Sequence, residues 1–70
     1  MTEEQAAKKA DIPDGHRMRK TEEGTKGFLG NADFCRFEEL DSAGKVIARW
    51  EELVHTNVKT GKETTTFRKL

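Results

Sequence analysis

The chain has 70 residues, with 13 Lys and Arg against 13 Asp and Glu, so its formal net charge at pH 7 is zero. This length allows one domain, and the single cysteine, Cys35, cannot form a disulfide within the chain. No apolar run approaches the roughly 18–20 residues of a membrane span, and the N-terminus lacks the pattern of a signal peptide. These features argue against a disulfide-rich secreted scaffold and a membrane protein. They predict a small soluble protein of the reducing cytoplasm.

Residues 1–27 are poor in large apolar side chains, which are limited to one isoleucine and two methionines. Such a segment cannot bury enough apolar area to offset its ordering entropy, so we expect a flexible charged tail that is largely disordered. One local structure is expected, because Thr2 and Gln5 fit a capping box that precedes the helix formers of residues 6–10. This helix is under three turns long, so we predict at most a frayed turn that ends before Pro13.

Residues 28–70 contain most of the large apolar side chains and all five aromatic ones, and they are predicted to form a small β-meander domain. Two turn signals, Asp41–Lys45 and Val58–Lys62, each place a glycine just before a lysine, as a type I turn followed by a left-handed residue requires. They separate strand-like runs over about residues 33–40, 45–56 and 63–69. The predicted fold is mainly β, a three-stranded antiparallel meander.

The outer edge of the first predicted strand is apolar, so we expect it to be covered, either by residues 25–30 or by the same strand of a second molecule. Phe28 and Leu29 lie between glycines in this region. They either fold back onto the sheet as a hydrophobic plug or belong to a short fourth edge strand over residues 25–29. The third predicted strand is polar and charged at both ends, which suits an exposed edge.

The register of the first hairpin has two solutions. A three-residue loop pairs Leu40 with Val46 and Arg36 with Trp50. A four-residue loop instead places Phe37 beside Trp50 and concentrates the apolar side chains on one face. The sequence does not decide between them, because both faces are half apolar in the first register.

For the second hairpin, a three-residue loop pairs Asn57 with Glu63 and Leu53 with Phe67. Two pairs of opposite charge then fall directly across from each other, which supports this register.

No set of residues has the composition of a catalytic, cofactor or metal site. His16, Cys35 and His55 match no metal-ligand spacing. Cys35 has no helix N-terminus to activate it, and it is expected to be a small buried hydrophobe. Adjacent glutamates within a strand point to opposite faces, so they do not form a general acid–base pair. We therefore expect a non-enzymatic protein without cofactor or small-molecule substrate.

Apolar side chains on both faces of the predicted sheet suggest a small protein-interaction module, with a protein partner or with a second copy in a homodimer. Trp and Arg are enriched at protein interfaces, and they occur together at mid-strand here. The candidate interface residues are Phe37, Trp50, Arg36, Arg49 and Phe67.

The alternative function is nucleic-acid binding, in which basic side chains contact phosphates and aromatic rings stack on unpaired bases. Zero net charge disfavours it, because phosphate neutralisation supplies most of the affinity of such proteins. Besides the sheet arginines Arg36 and Arg49, the candidate contacts are Arg17, Arg19, Lys20, Lys59, Lys62, Arg68 and Lys69.

Overall fold

The computed structural model describes residues 1–27 and 31–70. Within these residues, one helix precedes four strands: α1 spans Glu3–Ala10, β1 Arg17–Lys26, β2 Ala32–Leu40, β3 Val46–Thr56 and β4 Glu63–Lys69. The strands form one antiparallel sheet in the order β1-β2-β3-β4, so each lies beside its neighbour in the chain. The prediction of a mainly β antiparallel meander is confirmed, with a full fourth strand. No helix in the described residues is long and apolar enough to cross a membrane.

The N-terminal segment is ordered in this structure, which corrects the expectation of a largely disordered tail over residues 1–27. The capping box is confirmed: the Gln5 amide donates to the Thr2 hydroxyl at 3.1 Å, and the Thr2 amide donates to Gln5 Oε1 at 2.9 Å. The helix ends at Ala10 and is capped by Asp11, whose φ of 53° lies in the left-handed region. A two-turn helix and a ten-residue strand therefore replace the predicted tail.

Strand β1 covers the outer edge of β2. Cross-strand neighbours have opposite charges, as in Arg19 opposite Glu38 and Glu22 opposite Arg36, with a register shift between Lys20 and Glu22. The predicted covering of this edge is confirmed: β1 lies along it, and Thr25 and Lys26 of the predicted covering segment pair with Asp33 and Ala32. The prediction for Phe28 and Leu29 lies outside the described residues.

The turn between β2 and β3 is held by an aspartate at its start. Asp41 Oδ1 accepts hydrogen bonds from the Ala43 and Lys45 amides, each at 2.9 Å. Gly44 takes a φ of 85°, a conformation that a residue without Cβ adopts at no steric cost. This turn matches the predicted three-residue loop.

Each of the two predicted registers describes part of the first hairpin. Leu40 faces Val46 next to the turn, as in the first register. A shift follows, and beyond it Phe37 faces Trp50, as in the second. The predicted pair of Arg36 with Trp50 is wrong, because an extra residue on β3 at this bulge advances the pairing by one.

The predicted register of the second hairpin is wrong by one residue. Asn57 closes a four-residue loop instead: its amide donates to the Lys62 carbonyl at 2.8 Å, and its Oδ1 accepts from the Lys59 amide at 2.9 Å. Phe67 therefore faces Glu52 rather than Leu53. Because side chains alternate along a strand, this shift of one residue moves Phe67 to the same face as Trp50.

The core lies between α1 and one face of the sheet. It consists of Ala6 from the helix, Met18 from β1, and Cys35 and Phe37 from β2, all of them buried. Trp50 and Phe67 pack against this cluster from β3 and β4. A small domain gains its stability from such contiguous apolar contacts, so docking of the N-terminal segment completes the core.

Candidate functional site

The two faces of the sheet have different chemistry. Directly paired residues of antiparallel strands share a face, so the registers assign each paired residue to one side of the sheet. The aromatic face, partly covered by α1, is defined by Phe37, Trp50 and Phe67. The arginine face, on the opposite side, is defined by Arg17, Arg19, Arg36, Arg49 and Arg68. The five candidate interface residues are thus split, with three on the aromatic face and two on the arginine face.

The aromatic face is mainly a packing surface. Phe37 is 1% exposed, so it cannot contact a partner in this conformation. The Phe67 ring lies edge-on to Phe37 at a centroid distance of 6.4 Å and stacks on Trp50 at 5.2 Å. Trp50 and Phe67 remain half-buried. A partner could therefore reach only the outer parts of these two rings.

A hydrogen-bond chain ties the aromatic face to the segment before β1. Trp50 Nε1 donates to Glu39 Oε1 at 3.2 Å, and His16 Nδ1 lies 2.8 Å from Glu39 Oε2. The hydrogen bond with His16 lowers the pKa of the buried Glu39 below its ordinary value, although burial opposes this. Glu39 is thus held as a carboxylate at neutral pH and satisfies the indole N–H.

On the arginine face, three cations surround one buried carboxylate. Glu51 is 5% exposed, and its oxygens lie 3.0 Å from Arg36 Nε, 3.5 Å from Lys26 Nζ and 3.3 Å from an Arg68 amino group. The hydrogen bond from Arg36 is the main reason why the pKa of Glu51 is lowered. Arg36 also contacts Glu22 at 3.0 Å. A buried carboxylate requires such partners, because an uncompensated charge is costly away from water.

A second ion cluster on the same face is centred on Glu38. Arg19 from β1 donates to Glu38 Oε1, and Arg49 Nε lies 3.6 Å from Glu38 Oε2. The hydrogen bond from Arg19 is the main cause of the lowered pKa of Glu38. Glu38 is largely covered, whereas most of the Arg19 and Arg49 side chains is exposed. In both clusters the carboxylate lies close to the sheet and its arginines face the solvent.

One end of the sheet carries an exposed apolar cluster, which we call the apolar end: Val46, Ile47, Ala48 and Leu70. Val46, Ile47 and Leu70 are 37%, 47% and 57% exposed. Together with Ala48 and Arg49 they line one open hollow. None of these four residues is among the candidates predicted from the sequence. Two consecutive apolar residues directly after a turn predict such a cluster. Side chains alternate along a regular strand, so only one of the two can lie on the buried face.

Cys35 is a small buried side chain, as predicted. It is 6% exposed, and burial raises the pKa of its thiol, which keeps it protonated. Among residues 1–27 and 31–70, no three His, Cys, Asp or Glu side chains come together in a group able to hold a metal ion.

The structure brings only part of the nucleic-acid candidates together: the five arginines share the arginine face, and the lysines among them lie elsewhere. Arg17, Arg19 and Arg68 lie on the arginine face, while Lys20 and Lys69 lie on the aromatic face. Lys59 and Lys62 belong to the turn between β3 and β4. Lys26, which sequence reasoning missed, joins the arginine face through Glu51.

Comparison with known proteins adds no relative from which a function could be carried over. No protein-family model, no curated protein and no solved structure matches this chain.

Proposed function

We propose that the protein is a small, non-enzymatic protein-interaction module that binds a segment of a partner protein at its apolar end. The supporting observation is that three of the four large hydrophobic residues exposed in the described part of the chain surround one hollow. Contiguous exposed apolar surface is typical of interaction sites, whereas single exposed apolar residues are ordinary. The lone buried thiol of Cys35 suits the reducing cytoplasm as the place where this module works.

The size of the apolar end indicates a partner that makes additional contacts. Full burial of one Val, Ile or Leu side chain contributes about 1.5–3 kcal/mol, so burying the exposed half of three of them contributes roughly 2–4 kcal/mol. Alone, this corresponds to a dissociation constant near or weaker than about 1 mM. A functional complex therefore needs polar contacts beside the hollow, and Arg49 is the charged side chain that lines it.

The charges beside the hollow favour a different protein over a second copy of this chain. Lys45 directly precedes Val46, and Arg49 is 71% exposed. A two-fold symmetric dimer through this surface would place the same patch against itself and bring like charges together. A partner segment that combines apolar and acidic residues avoids this repulsion. We therefore expect the protein to sediment as a monomer at micromolar concentration, and a stable dimer would contradict this choice of partner.

The proposal is tested by comparing two substitutions of exposed apolar residues at different places. Ile47→Glu introduces a charge into the apolar end, whereas Val58→Glu introduces it into the turn between β3 and β4, where Val58 is 64% exposed. Affinity capture with the wild-type protein and both variants should identify partners that are lost with Ile47→Glu and retained with Val58→Glu. Binding of such a purified partner should then be confirmed by NMR shifts at residues 46–49. Partners that bind both variants as they bind the wild type, or that bind neither variant, would contradict the assigned surface.

A further inference from the structure

We propose that the arginine face is a second binding surface, which recognises an acidic segment of a protein. The zero net charge of the chain conceals a separation of charge across the sheet. The registers place six cations on this face, the five arginines and Lys26, against three anions, Glu22, Glu38 and Glu51. Because the whole chain is formally neutral, this excess of three positive charges is balanced by a negative excess elsewhere.

On this face the carboxylates are covered and the guanidinium groups are more exposed, which strengthens its positive character. Glu38 and Glu51 are 16% and 5% exposed, whereas Arg19, Arg36, Arg49 and Arg68 range from 37% to 71%. An approaching ligand therefore meets guanidinium groups before it meets most of the carboxylate charge. The buried carboxylates also hold the arginines in place, so less side-chain freedom is lost when a ligand binds.

The arginines keep hydrogen-bonding capacity for such a ligand. A guanidinium carries five N–H donors in a planar fork that matches a carboxylate. Arg68 donates one hydrogen bond to Glu51, and Arg19 donates one to Glu38. Most donors of both side chains thus remain available to the carboxylates of an incoming segment.

The distribution of apolar and aromatic groups favours a protein ligand over a nucleic acid. Single-stranded nucleic acids are bound by stacking of bases on aromatic rings, but Phe37, Trp50 and Phe67 lie on the opposite face. Phe34 lies on the arginine face, and its ring is covered by Lys26 Nζ at 4.8 Å and by the Arg36 guanidinium at 5.1 Å from its centroid. The half-buried Leu53 lies directly opposite Phe34 and offers apolar contact between the charges.

The test uses two labelled peptides and one oligonucleotide with the full chain. In the first peptide glutamate alternates with valine, and in the second glutamine replaces every glutamate; the oligonucleotide is a short oligothymidylate. Arg19→Gln/Arg68→Gln removes two charges from the arginine face. Glu38 keeps Arg49 as a partner, and Glu51 keeps Lys26 and Arg36. Lys59→Gln/Lys62→Gln makes the same change of net charge in the exposed turn. Ile47→Ser tests whether the apolar end is involved.

We expect the glutamate peptide to bind the wild type, and Arg19→Gln/Arg68→Gln to weaken this binding by about tenfold. Lys59→Gln/Lys62→Gln should change it less than about twofold, because this turn lies outside the face. Ile47→Ser should also change it less than about twofold, because it removes apolar contact and no positive charge. Equal losses for both charge variants, equal binding of the glutamine peptide, or tighter binding of oligothymidylate would each overturn the proposal. Shifts of the arginine side-chain NMR signals in the wild-type protein provide a readout that does not depend on the folding of any variant. Shifts confined to α1 would place the peptide elsewhere.

Discussion

The substitution Met18→Ala tests whether the N-terminal segment belongs to the folded domain. Met18 is the one large apolar side chain of β1, it is 4% exposed, and it packs in the cluster that contains Ala6 and Phe37. If residues 1–27 were a flexible tail, Met18 would be solvated and its truncation would be nearly neutral. In the structure described here, truncation leaves a cavity between α1 and the sheet.

The expected cost follows from the atoms removed. Replacing Met by Ala deletes three heavy atoms beyond Cβ, which at about 0.8 kcal/mol for each buried methylene gives roughly 2–2.5 kcal/mol. The residual cavity adds to this, and buried Met→Ala substitutions cost about 2–5 kcal/mol in total. A domain of this length has a free energy of unfolding of roughly 4–10 kcal/mol. We therefore expect Met18→Ala to lose about 3 kcal/mol, which is roughly 30–75% of the total.

Urea denaturation followed by the fluorescence of Trp50 measures this loss, because Trp50 is the single tryptophan and packs against the same cluster. With a slope near 1 kcal/mol per molar urea, the midpoint should fall by at least about 2 M. Ile47→Ala is the control, since Ile47 is 47% exposed and should lose less than about 1 kcal/mol. A midpoint of Met18→Ala equal to that of the wild type would refute the packing of β1 and α1 on the sheet.

Three further changes test the cap, the turn and the buried carboxylate. Thr2→Ala removes the acceptor of the Gln5 amide and should cost about 1 kcal/mol, with lower helicity by circular dichroism; an unchanged spectrum and melting temperature would contradict the cap. Gly44→Ala should cost about 1 kcal/mol in urea denaturation purely from its φ of 85°, because a Cβ there meets no atom within 4 Å; a neutral result would contradict the left-handed turn. Because the pKa of Glu39 is lowered on folding, its stabilising contribution is present above the ordinary value of about 4.5 and is lost as pH falls through the lower folded value. Glu39→Gln should therefore flatten the acid limb of melting temperature against pH, and an identical acid limb would rule out this contribution.

The capping box of α1 could be predicted, but β1 and the ordered state of residues 1–27 could not, because this segment is poor in large apolar side chains. Apolar content predicts order only where burial is the main source of stability, and β1 contains Met18 as its single large apolar residue. It is held instead by the backbone ladder and by charge complementarity along β2. A signal was present: the basic residues Arg17, Arg19 and Lys20 and the acidic residues 22–23 mirror, in antiparallel order, the arginine and glutamates of residues 36–39.

The turns show how far local chemistry determines register. Gly44 and Gly61 both take positive φ, as the two turn signals predict. Their positions did not reveal that the Asn57 side chain extends the second loop to four residues, or that β3 contains a bulge. Both features depend on tertiary packing, because Phe67 and Trp50 must lie together on the face that α1 covers. Register is a property of the packed sheet. The division of the candidate interface residues between two faces could therefore not be predicted from the turns alone.

The meander order also determines how the protein can reach its native state. Every strand pairs with the strand next to it in the chain, so each hairpin closes only a short loop and no long-range strand pairing must form first. Folding rates rise as contacting residues come closer in sequence, which predicts fast folding for a β-sheet protein of this size. Trp50 is paired with Phe37 on β2 and with Lys69 on β4. Its fluorescence in a stopped-flow experiment therefore reports the joining of the hairpins on either side of β3, and a probe on the helix would time the docking of α1 separately.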